Sequence, residues 1–537
     1  EPDAATGSVP CAITITAGTD DYPYLAVENI SLDLTLSQSG FPLDGMVIKS
    51  SPIVVDLDLD GYKEIYFGSD NNLLYGYNSF GQALTGFPFQ STDRVRSSPA
   101  IGDVDNDGQM EIVFGNSSGK LYIINADGSQ QLAYTLLGFI EGTPALVDID
   151  GDQDLEIVFT TTTGSGGQVY VIHHNGATES GFPKEIGSMF VGPAVHDLDN
   201  DGVVDVVCVT YDKEIYAIEA IGGAIKPGFP FTAESRFSMP ATIVDVDSDG
   251  DYEIVAGCNS GDLYVLHHDA SIYAQYNTGD DIRGGISVCD LNNDGQLDLL
   301  FGGYDDKIHA WDPVANELLP GWPVDLGYNS LSEPVLADLD GDGQIEVLAA
   351  RKTGMIFAYE SDGSLMGNFP IPIDGSIEST PAIEDIDNDG DLELVIGTTA
   401  GLDVIDIKFD AQLMDSWSLY RATMHRTGVY DESVMSIGSK ESIIPEKFYV
   451  SDNYPNPFNP TTNFYIDVPE DGNLLVSVYD VNGRLVNELI NTQVVAGRIR
   501  GRWSGKNSYG VMSPTGIYFL KVETGANYHV QKLALVK

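Results

Sequence analysis

Cysteine, basic residues and long hydrophobic runs are all scarce in this chain of 537 residues. The four cysteines form no CxxC pair, which excludes a disulfide framework and indicates small buried residues: Cys11, Cys208, Cys258 and Cys289. No run of about 18 apolar residues is present, so no membrane-spanning segment is expected. The chain begins at Glu1 without a signal-like stretch, and we expect a mature form whose export signal is already removed.

Basic side chains number only 26 against 81 acidic ones, which gives a net charge of −55. The acidity belongs to the first 445 residues, because nine basic and eight acidic side chains follow them. A field of this sign repels nucleic acid and anionic lipid, and it opposes compaction unless cations neutralise part of it. Bound metal ions are therefore expected in the N-terminal part of the chain.

One unit recurs eight times: an apolar strand, an acidic loop, a second apolar strand and an aromatic third strand. The loops follow one another at intervals of 45 to 49 residues, and they open at Asp56, Asp103, Asp148, Asp197, Asp245, Asp290, Asp338 and Asp385. Repeats of about 40 to 50 residues with several short strands each are typical of propeller blades. The second and third strands are nearly continuous apolar runs, which predicts strands that are covered on both faces.

The second unit illustrates the predicted strand order. Its inner strand is Pro99–Gly102, its acidic loop is Asp103–Glu111 and its second strand is Ile112–Gly115. The third strand is Leu121–Asn125, and Asp127-Gly128 supplies a tight hairpin turn.

Most units end in Gly-Phe-Pro or a variant of it, which suits an outer edge strand. The same element, Gly40-Phe41-Pro42, precedes the first unit and follows the strand-like segment Ser31–Leu36. We predict that this N-terminal segment supplies the outer strand of the last blade, whose other strands come from Thr380–Ile407. Such an exchange closes a ring and leaves no sheet edge open.

The predicted fold class is therefore all-β, with an eight-bladed β-propeller, or seven blades as the alternative, over residues 1–430. The segment Trp417–Tyr430 is expected to pack against the ring closure. Residues 431–447 are polar and unpatterned, and we interpret them as a linker. Residues 448–537 form a second domain of short strands, with Asn482-Gly483 as a hairpin turn.

The acidic loops carry carboxylates at positions 1, 3, 5 and 9, with Asn292 as the only exception, and all but one loop have glycine at position 6. Alternate acids in a curling loop turn their oxygens inward, and six to eight oxygens in flexible geometry suit Ca²⁺. Solubility alone would not require this fixed register, so we predict about eight structural Ca²⁺ sites. The predicted ligands are Asp56, Asp58, Asp60, Glu64, Asp103, Asp105, Asp107, Glu111, Asp148, Asp150, Asp152, Glu156, Asp197, Asp199, Asp201, Asp205, Asp245, Asp247, Asp249, Glu253, Asp290, Asn292, Asp294, Asp298, Asp338, Asp340, Asp342, Glu346, Asp385, Asp387, Asp389 and Glu393.

Two loops depart from the pattern and are predicted to be the weaker sites. The third loop has Gln153 where glycine is expected, and a non-glycine residue with positive φ costs about 1 kcal/mol. The sixth loop has Asn292 at position 3 and ends in Asp298.

These loops, written DLDLDGYKE, DVDNDGQME, DIDGDQDLE, DLDNDGVVD, DVDSDGDYE, DLNNDGQLD, DLDGDGQIE and DIDNDGDLE, resemble the FG-GAP (VCBS-type) repeat family over about residues 30–430. The resemblance implies a calcium-bearing propeller. It leaves the function open, because the family includes adhesins, lectin-like modules and some polysaccharide lyases.

The C-terminal residues resemble the sorting domain of type IX secretion, which is related to an Ig-like β-sandwich. Four stretches carry the resemblance: Asn453–Thr461, Trp503-Ser504-Gly505, Pro514–Phe519 and Lys532–Lys537. Ser504 stands where the family usually has aspartate. The resemblance implies contact with the secretion machinery and a location outside the cell or on the outer-membrane surface of a Gram-negative bacterium.

Two classes of function remain open from the sequence. The first is a non-catalytic binding, adhesion or display module with a glycan or surface-protein ligand. The alternative is a polysaccharide lyase or other carbohydrate-active enzyme, or the non-catalytic part of a larger secreted enzyme. A lyase on an acidic polymer needs basic residues at the propeller mouth, and four arginines precede inner strands: Arg94, Arg96, Arg236 and Arg283.

Two histidine pairs look like metal ligands but are interpreted as strand-end residues. Neighbouring side chains on a strand point to opposite faces, so neither His173-His174 nor His267-His268 can chelate one ion.

Overall fold

The protein is all-β, as predicted, and its repeated four-stranded sheets give it a propeller-like architecture. The structure is a computed structural model that describes residues 7–19, 22–34, 36–58, 61–163, 166–407, 417–430, 447–450, 458, 462–469, 472–481, 483–494, 497–508, 512–525 and 527–536. Its contacts divide the chain into two compact units, Glu1–Ser436 and Ile437–Lys537. Within the described residues no helix is long and apolar enough to cross a membrane.

Eight antiparallel sheets follow one another along the first unit, and we number them 1 to 8 in the order of the acidic loops. Each has an inner strand before its acidic loop, then a second, a third and an outer strand. Their strands are Ile53–Val55, Glu64–Gly68, Leu73–Asn78 and Phe89–Gln90; Ala100–Gly102, Glu111–Gly115, Lys120–Asn125 and Gln130–Thr135; Ala145–Val147, Glu156–Thr162, Gly167–Ile172 and Lys184–Ile186; Ala194–His196, Asp205–Val209, Glu214–Glu219 and Phe231–Thr232; Thr242–Val244, Glu253–Gly257, Asp262–Leu266 and Ile272–Asn277; Ile282–Cys289, Asp298–Gly303, Lys307–Asp312, Glu317–Leu318 and Val324–Asp325; Val335–Ala337, Glu346–Arg351, Met355–Tyr359 and Ile371–Pro372; Ala382–Glu384, Glu393–Gly397, Gly401–Asp406 and, from the N-terminal segment, Leu43–Asp44.

The hydrophobic core lies between neighbouring sheets. Tyr66 of sheet 1 belongs to the same buried cluster as Phe114 and Tyr122 of sheet 2, and the rings of the latter two stack at 5.1 Å. All five residues of the second strand Glu111–Gly115 are buried. Coverage of both strand faces explains why these strands are apolar without alternation.

Hydrogen bonds connect the last sheet of the series to the first. The Thr380 N–H of sheet 8 donates to Ser51 Oγ at 2.9 Å, and the Ser51 N–H donates to Ser98 Oγ of sheet 2 at 2.8 Å. On the other side, the Glu333 N–H of sheet 7 donates to Thr380 Oγ1 at 3.1 Å. Serine and threonine at this one repeat position therefore join successive inner strands.

The N-terminal segment completes sheet 8, as predicted, but of the expected strand Leu36 is the residue that contacts it, through the Asp406 N–H that its carbonyl accepts at 2.8 Å. Ser31–Leu36 was predicted as the outer strand, but Tyr22–Leu34 pairs with Gly7–Thr19 in a separate two-stranded sheet. Leu43–Asp44 pairs with Gly401 and Leu402, and Ser37 bridges Ile405. Alternating residues in Ser31–Leu34 suit either pairing, so the sequence pattern alone did not define the partner.

Residues 417–430 lie along the inner strands rather than merely beside the ring closure. The inner strands of six sheets donate backbone N–H groups to carbonyls of this segment, through Leu336, Ile383, Ile101, Leu146, Val195 and Ile243. Val429–Tyr430 adds a short parallel strand to sheet 5. One segment that contacts six inner strands must occupy the axis of the unit, and we call it the axial segment.

Two buried arginines fix the axial segment. Arg426 donates through Nε to Pro99 O and through Nη2 to Pro52 O, both at 3.1 Å, and through Nη1 to Tyr420 O. Arg421 donates through Nε to Arg426 O at 2.9 Å. Arg426 has no exposed surface and Arg421 has 1%. Carbonyl oxygens of several sheets are thereby satisfied by side chains of one segment.

The second unit contains two antiparallel sheets around one hydrophobic core. The first comprises Tyr449–Val450, Thr462–Val468 and Gly497–Trp503, and the second comprises Leu485–Val494, Gly472–Asp480, Gly516–Thr524 and Asn527–Leu535. Trp503, Leu474 and Leu520 are among its fully buried side chains. The strands on either side of the predicted turn at Asn482-Gly483 do pair, although Asn482 itself lies outside the described residues.

The linker predicted at 431–447 falls, up to residue 446, outside the part of the chain that the structure describes. The same applies to the motif 453–461, of which only Phe458 is described. Three of the four cysteines, Cys208, Cys258 and Cys289, are free and buried, as expected.

Candidate metal centres in the acidic loops

In loops 1 to 7 the first aspartate holds the loop in its curled shape. In loop 2 the Gly108 N–H donates to Asp103 Oδ2 at 2.9 Å and the Asp107 N–H donates to Asp103 Oδ1 at 3.0 Å. The corresponding glycine N–H donates to the first aspartate in loops 1, 4, 5, 6 and 7 as well. A carboxylate that accepts two backbone N–H groups fixes the turn through charge-assisted hydrogen bonds.

The ninth residue closes every loop from the second strand. Its carboxylate accepts the backbone N–H of position 2 at 2.6 to 3.2 Å in all eight cases: Glu64, Glu111, Glu156, Asp205, Glu253, Asp298, Glu346 and Glu393. These carboxylates are buried, with at most 3% exposure. A charged group that is both buried and ringed by other carboxylates needs a cation to offset its desolvation.

Backbone conformation explains the residue types at two loop positions. Position 6 is left-handed in every loop, including Gln153 at φ +78°, where the predicted strain of about 1 kcal/mol applies. Position 4 is also left-handed in loops 2 to 8, for example at Asn106 and Asn293. Asparagine tolerates this conformation better than most residues, which accounts for its frequency at position 4.

The structure brings predicted ligands of loops 1 to 5 together in acidic clusters, whose ligand atoms lie within 4.8 Å of one another. Loops 1 to 4 assemble positions 1, 3 and 9, as in Asp103, Asp105 and Glu111, whereas loop 5 assembles positions 1, 3 and 5. Position 5 often serves the loop itself: Asp107 accepts the Gln109 N–H at 2.8 Å and Asp342 accepts the Gln344 N–H at 2.8 Å. Asp60 lies outside the described residues.

Burial raises the pKa of the closing carboxylates in loops 2 to 8, and the neighbouring aspartates raise it further. The pKa is about 7 for Glu111, Glu253 and Asp298. It is about 8 for Glu346 and about 9 for Glu393. The loops therefore favour a positive charge, which a proton or a metal ion can supply.

Three of the closing residues, Asp205, Glu346 and Glu393, also present a buried oxygen without a hydrogen-bond partner among the described residues. Glu346 Oε1 and Glu393 Oε1 are buried and have no hydrogen-bond partner among the described residues, whereas the second oxygen of each accepts the N–H of Leu339 or Ile386. Unpartnered buried oxygens are rare in proteins and call for an ion or water. A donor set made only of oxygens fits a hard cation such as Ca²⁺.

The end of the third strand adds side chains beside the loops, among them histidines that the sequence analysis interpreted only as strand-end residues. His173 Nδ1 lies 2.9 Å from Glu156 Oε1, and His267 Nδ1 lies 3.0 Å from Glu253 Oε1. In sheets 6 and 7 the charges of Asp312 and Glu360 help to raise the pKa of the closing carboxylate. The sequence does contain a pattern that could have located these side chains, because a polar residue recurs at the end of the third strand. In the structure this position lies beside the acidic loop.

We predict that the metal-free protein loses stability as pH rises from about 5 to about 9. A carboxyl whose pKa is raised by folding binds its proton more tightly when folded, so deprotonation above its unfolded pKa disfavours the folded state. Thermal unfolding in chelator at pH 5, 7 and 9 measures this, and Glu393→Gln should reduce the slope. A melting temperature in chelator that rises over this range would contradict the interpretation.

A cavity of about 170 Å³ lies at the end of the axis where the inner strands begin. Inner strands run from this end to the acidic loops, so the cavity and the loops lie at opposite ends of the sheets. Lys49, Arg96, Glu141, Phe190, Arg283 and Glu378 line it, and all occupy the same repeat position, three residues before the inner-strand proline or, in sheet 6, Ile286. Tyr420 of the axial segment and Glu333 also line it.

The four arginines predicted at the mouth already have partners. Arg96 makes a bidentate contact with Asp70 at 2.7 and 3.0 Å, and Arg283 Nη2 lies 3.1 Å from Asp281. Arg236 packs over the Tyr211 ring at 5.1 Å, and Arg94 lies 3.9 Å from Asp93. Three of the four arginines thus have an acidic partner within the chain, and Arg236 packs on an aromatic ring.

Repeated sheets with acidic loops and a separate two-sheet unit define the class as a propeller-like repeat protein with an added C-terminal domain. A family model described as FG-GAP-like repeat matches residues 56–114, 103–159, 148–208 and 303–396. A second, described as secretion system C-terminal sorting domain, matches residues 452–536. The chain therefore carries FG-GAP-like repeats and a type IX sorting domain, and the sorting domain indicates a secreted or cell-surface protein.

Solved structures resemble the chain in fold. The crystal structure of the V. cholerae biofilm matrix protein Bap1 aligns with a TM-score of 0.53 and 14% identity, over 74% of this chain and 95% of that one. The crystal structure of Saccharomyces cerevisiae Sqt1 aligns with a TM-score of 0.52 and 14% identity, over 69% and 98%. No curated protein matches the sequence. At this identity the likeness concerns the fold alone.

Proposed function

We propose that this protein is a calcium-stabilised, eight-bladed propeller that binds or displays a ligand outside the cell and does not catalyse a reaction. The observation that carries the proposal is the closing carboxylate, which is buried in each of the eight acidic loops. This carboxylate lies on the second strand and accepts a backbone N–H from the start of the loop. An ion bound to it would therefore stabilise the junction of strand and loop, which is a structural role. Ligands would be held at the other end of the sheets.

Calcium is the ion that the loops favour. The ligands on offer are carboxylate oxygens in a flexible loop, together with the amide oxygen of Asn292, and Ca²⁺ accepts six to eight such oxygens at variable geometry. Mg²⁺ prefers a strict octahedron and keeps its waters, which a buried closing residue would displace. Asp338 and Asp340 with Glu346 illustrate the proposed ligand set.

The axial cavity supports binding of a glycan. It combines charged groups that can exchange hydrogen bonds with hydroxyls and an aromatic ring, Phe190, that is 37% exposed and packs on Tyr211 at 4.7 Å. Concave sites with a few convergent polar groups are the usual ligand sites of proteins. A polysaccharide lyase is less well supported, because the mouth arginines are paired with acids or with a ring of the same chain.

A glycan array probed with the whole chain tests this assignment. We expect binding to at least one glycan class, and Phe190→Ala should weaken it about tenfold, or ~1.4 kcal/mol. Phe80→Ala is the matched control, since Phe80 is 51% exposed and does not line the cavity. Equal glycan binding by both variants would exclude the cavity as the binding site. Binding to surface proteins but to no glycan would instead identify a protein ligand.

The C-terminal unit is proposed as an export domain that contacts the type IX secretion machinery at the outer membrane of a Gram-negative bacterium. Deletion of residues 454–537 should abolish secretion in a type IX host, because this unit carries the sorting signal. The melting temperature of the remaining unit should stay nearly unchanged, since the deleted residues have a hydrophobic core of their own.

Secretion assays and calorimetry on the deleted and full-length chains measure both effects. Lys521→Gln, a surface change within the second unit, serves as the control that should export normally. Export without the C-terminal unit, or a large loss of stability in the first unit, would contradict the assignment.

A further inference from the structure

The fourth acidic loop contains a cation from its own chain. Lys226 Nζ lies 2.9 Å from Asp199 Oδ2 and 2.8 Å from Asp205 Oδ2, which are positions 3 and 9 of that loop. The lysine is only 5% exposed, and Asp205 is fully buried. The ammonium group therefore already uses two of the oxygens that a metal ion in this loop would need.

The fold does not require a lysine at this position. Lys226 lies two residues before the Gly-Phe-Pro element of sheet 4, and the corresponding residues are Leu84 in sheet 1, Leu319 in sheet 6 and Met366 in sheet 7. Leu319 and Met366 are each 5% exposed, so uncharged side chains fill the same place. The lysine in sheet 4 is thus a specific feature of that sheet.

Loop 6 is a natural comparison for loop 4. Both loops end in aspartate rather than glutamate, at Asp205 and Asp298, and both closing residues accept the N–H of loop position 2. The two sheets differ two residues before the Gly-Phe-Pro element or its variant, where sheet 4 has Lys226 and sheet 6 has Leu319. The short closing residue therefore does not account for the lysine contact.

A lysine and a divalent ion exclude each other at this place. An ion bound to Asp199 Oδ2 and Asp205 Oδ2 would lie within a few Å of Nζ, and two cations at that separation repel strongly. The ammonium has three donors and forms charge-assisted hydrogen bonds with both carboxylates. Removal of the lysine would free these two oxygens, and Oδ1 of each aspartate has no hydrogen-bond partner among the described residues.

We infer that the Lys226 ammonium occupies loop 4 in place of Ca²⁺. The inference rests on the proposed function, in which the other loops hold calcium. Sheet 4 is then closed by a cation that calcium depletion cannot remove, whereas the remaining sheets depend on the ion. With Lys226 in loop 4, the chain has one calcium site fewer than it has acidic loops.

The test counts bound calcium in the full chain after equilibrium dialysis in buffered calcium, by atomic emission. Lys226→Met, which restores the kind of side chain found in sheet 7, should bind one ion more per chain than the wild type. Lys213→Met is the control, because Lys213 belongs to the same sheet, is exposed and touches no acidic loop. An unchanged count in Lys226→Met would overturn the inference.

A second pair of variants tests the wild-type loop directly. Asp199→Ala should leave the calcium count unchanged, while Asp340→Ala at the same position of loop 7 should lower it by one. Loss of an ion from Asp199→Ala would overturn the inference and leave the proposed function intact. A wild type without any calcium would contradict the proposed function, and a gain of one ion in Lys226→Met would still support the inference.

Discussion

Removal of calcium is expected to lower the melting temperature of the first unit by about 20 °C. A ligand that binds only the folded state adds roughly 2.7 kcal/mol per site at 100 times its dissociation constant. A unit of 436 residues has an unfolding entropy of about 0.9 kcal/mol per degree, so seven such sites give a shift of this size. Scanning calorimetry in calcium and in chelator measures the difference.

Two substitutions at position 3 serve as internal controls for the chelation experiment. Asp340→Ala removes a carboxylate from a complete loop, whereas Asn292→Ala alters the loop that we predict to be weak. In calcium the first should destabilise the protein more than the second, and in chelator the two should become similar. A melting curve that chelator does not move, or equal effects of both variants in calcium, would contradict structural calcium.

Substitution of Arg426 by methionine is expected to destabilise the first unit by about 3 kcal/mol or more. The guanidinium donates to carbonyls of Pro52, Pro99 and Tyr420, and its loss leaves buried acceptors unsatisfied. Each such group costs about 1 to 3 kcal/mol. Methionine keeps most of the apolar stem, so the effect reports hydrogen bonding rather than volume.

Arg94→Met is the matched control, because the Arg94 side chain is 44% exposed and surface substitutions rarely exceed about 0.5 kcal/mol. Denaturant unfolding of both variants in calcium gives the comparison. Equal stability of the two variants would show that the axial segment is dispensable for the fold.

The repeating loops allowed much of the fold to be predicted, because each constraint was local. An acid at position 9 must come from the next strand, and glycine at position 6 must adopt a left-handed conformation, so spacing alone predicted strand, loop and strand. Gln153 shows the strength of the constraint, since it adopts φ +78° despite its side chain. The apolar second strands likewise predicted coverage by sheets on both sides.

Long-range contacts could not be predicted in the same way. The axial segment has no repeat partner, and nothing in its sequence shows that it meets six inner strands. The pairing of Ser31–Leu34 with the N-terminal strand was missed because strand patterns do not name their partners. Lys226 precedes a Gly-Phe-Pro element like those of other sheets, and only the folded chain places its ammonium beside Asp199 and Asp205.

The position of the ions themselves tests the central claim most directly. Anomalous X-ray diffraction from crystals grown in calcium would locate each ion against the loops. The account predicts anomalous peaks in loops 1, 2, 3, 5, 6, 7 and 8, each next to the closing carboxylate. Crystals with calcium in the solvent but no peak in any acidic loop would contradict it.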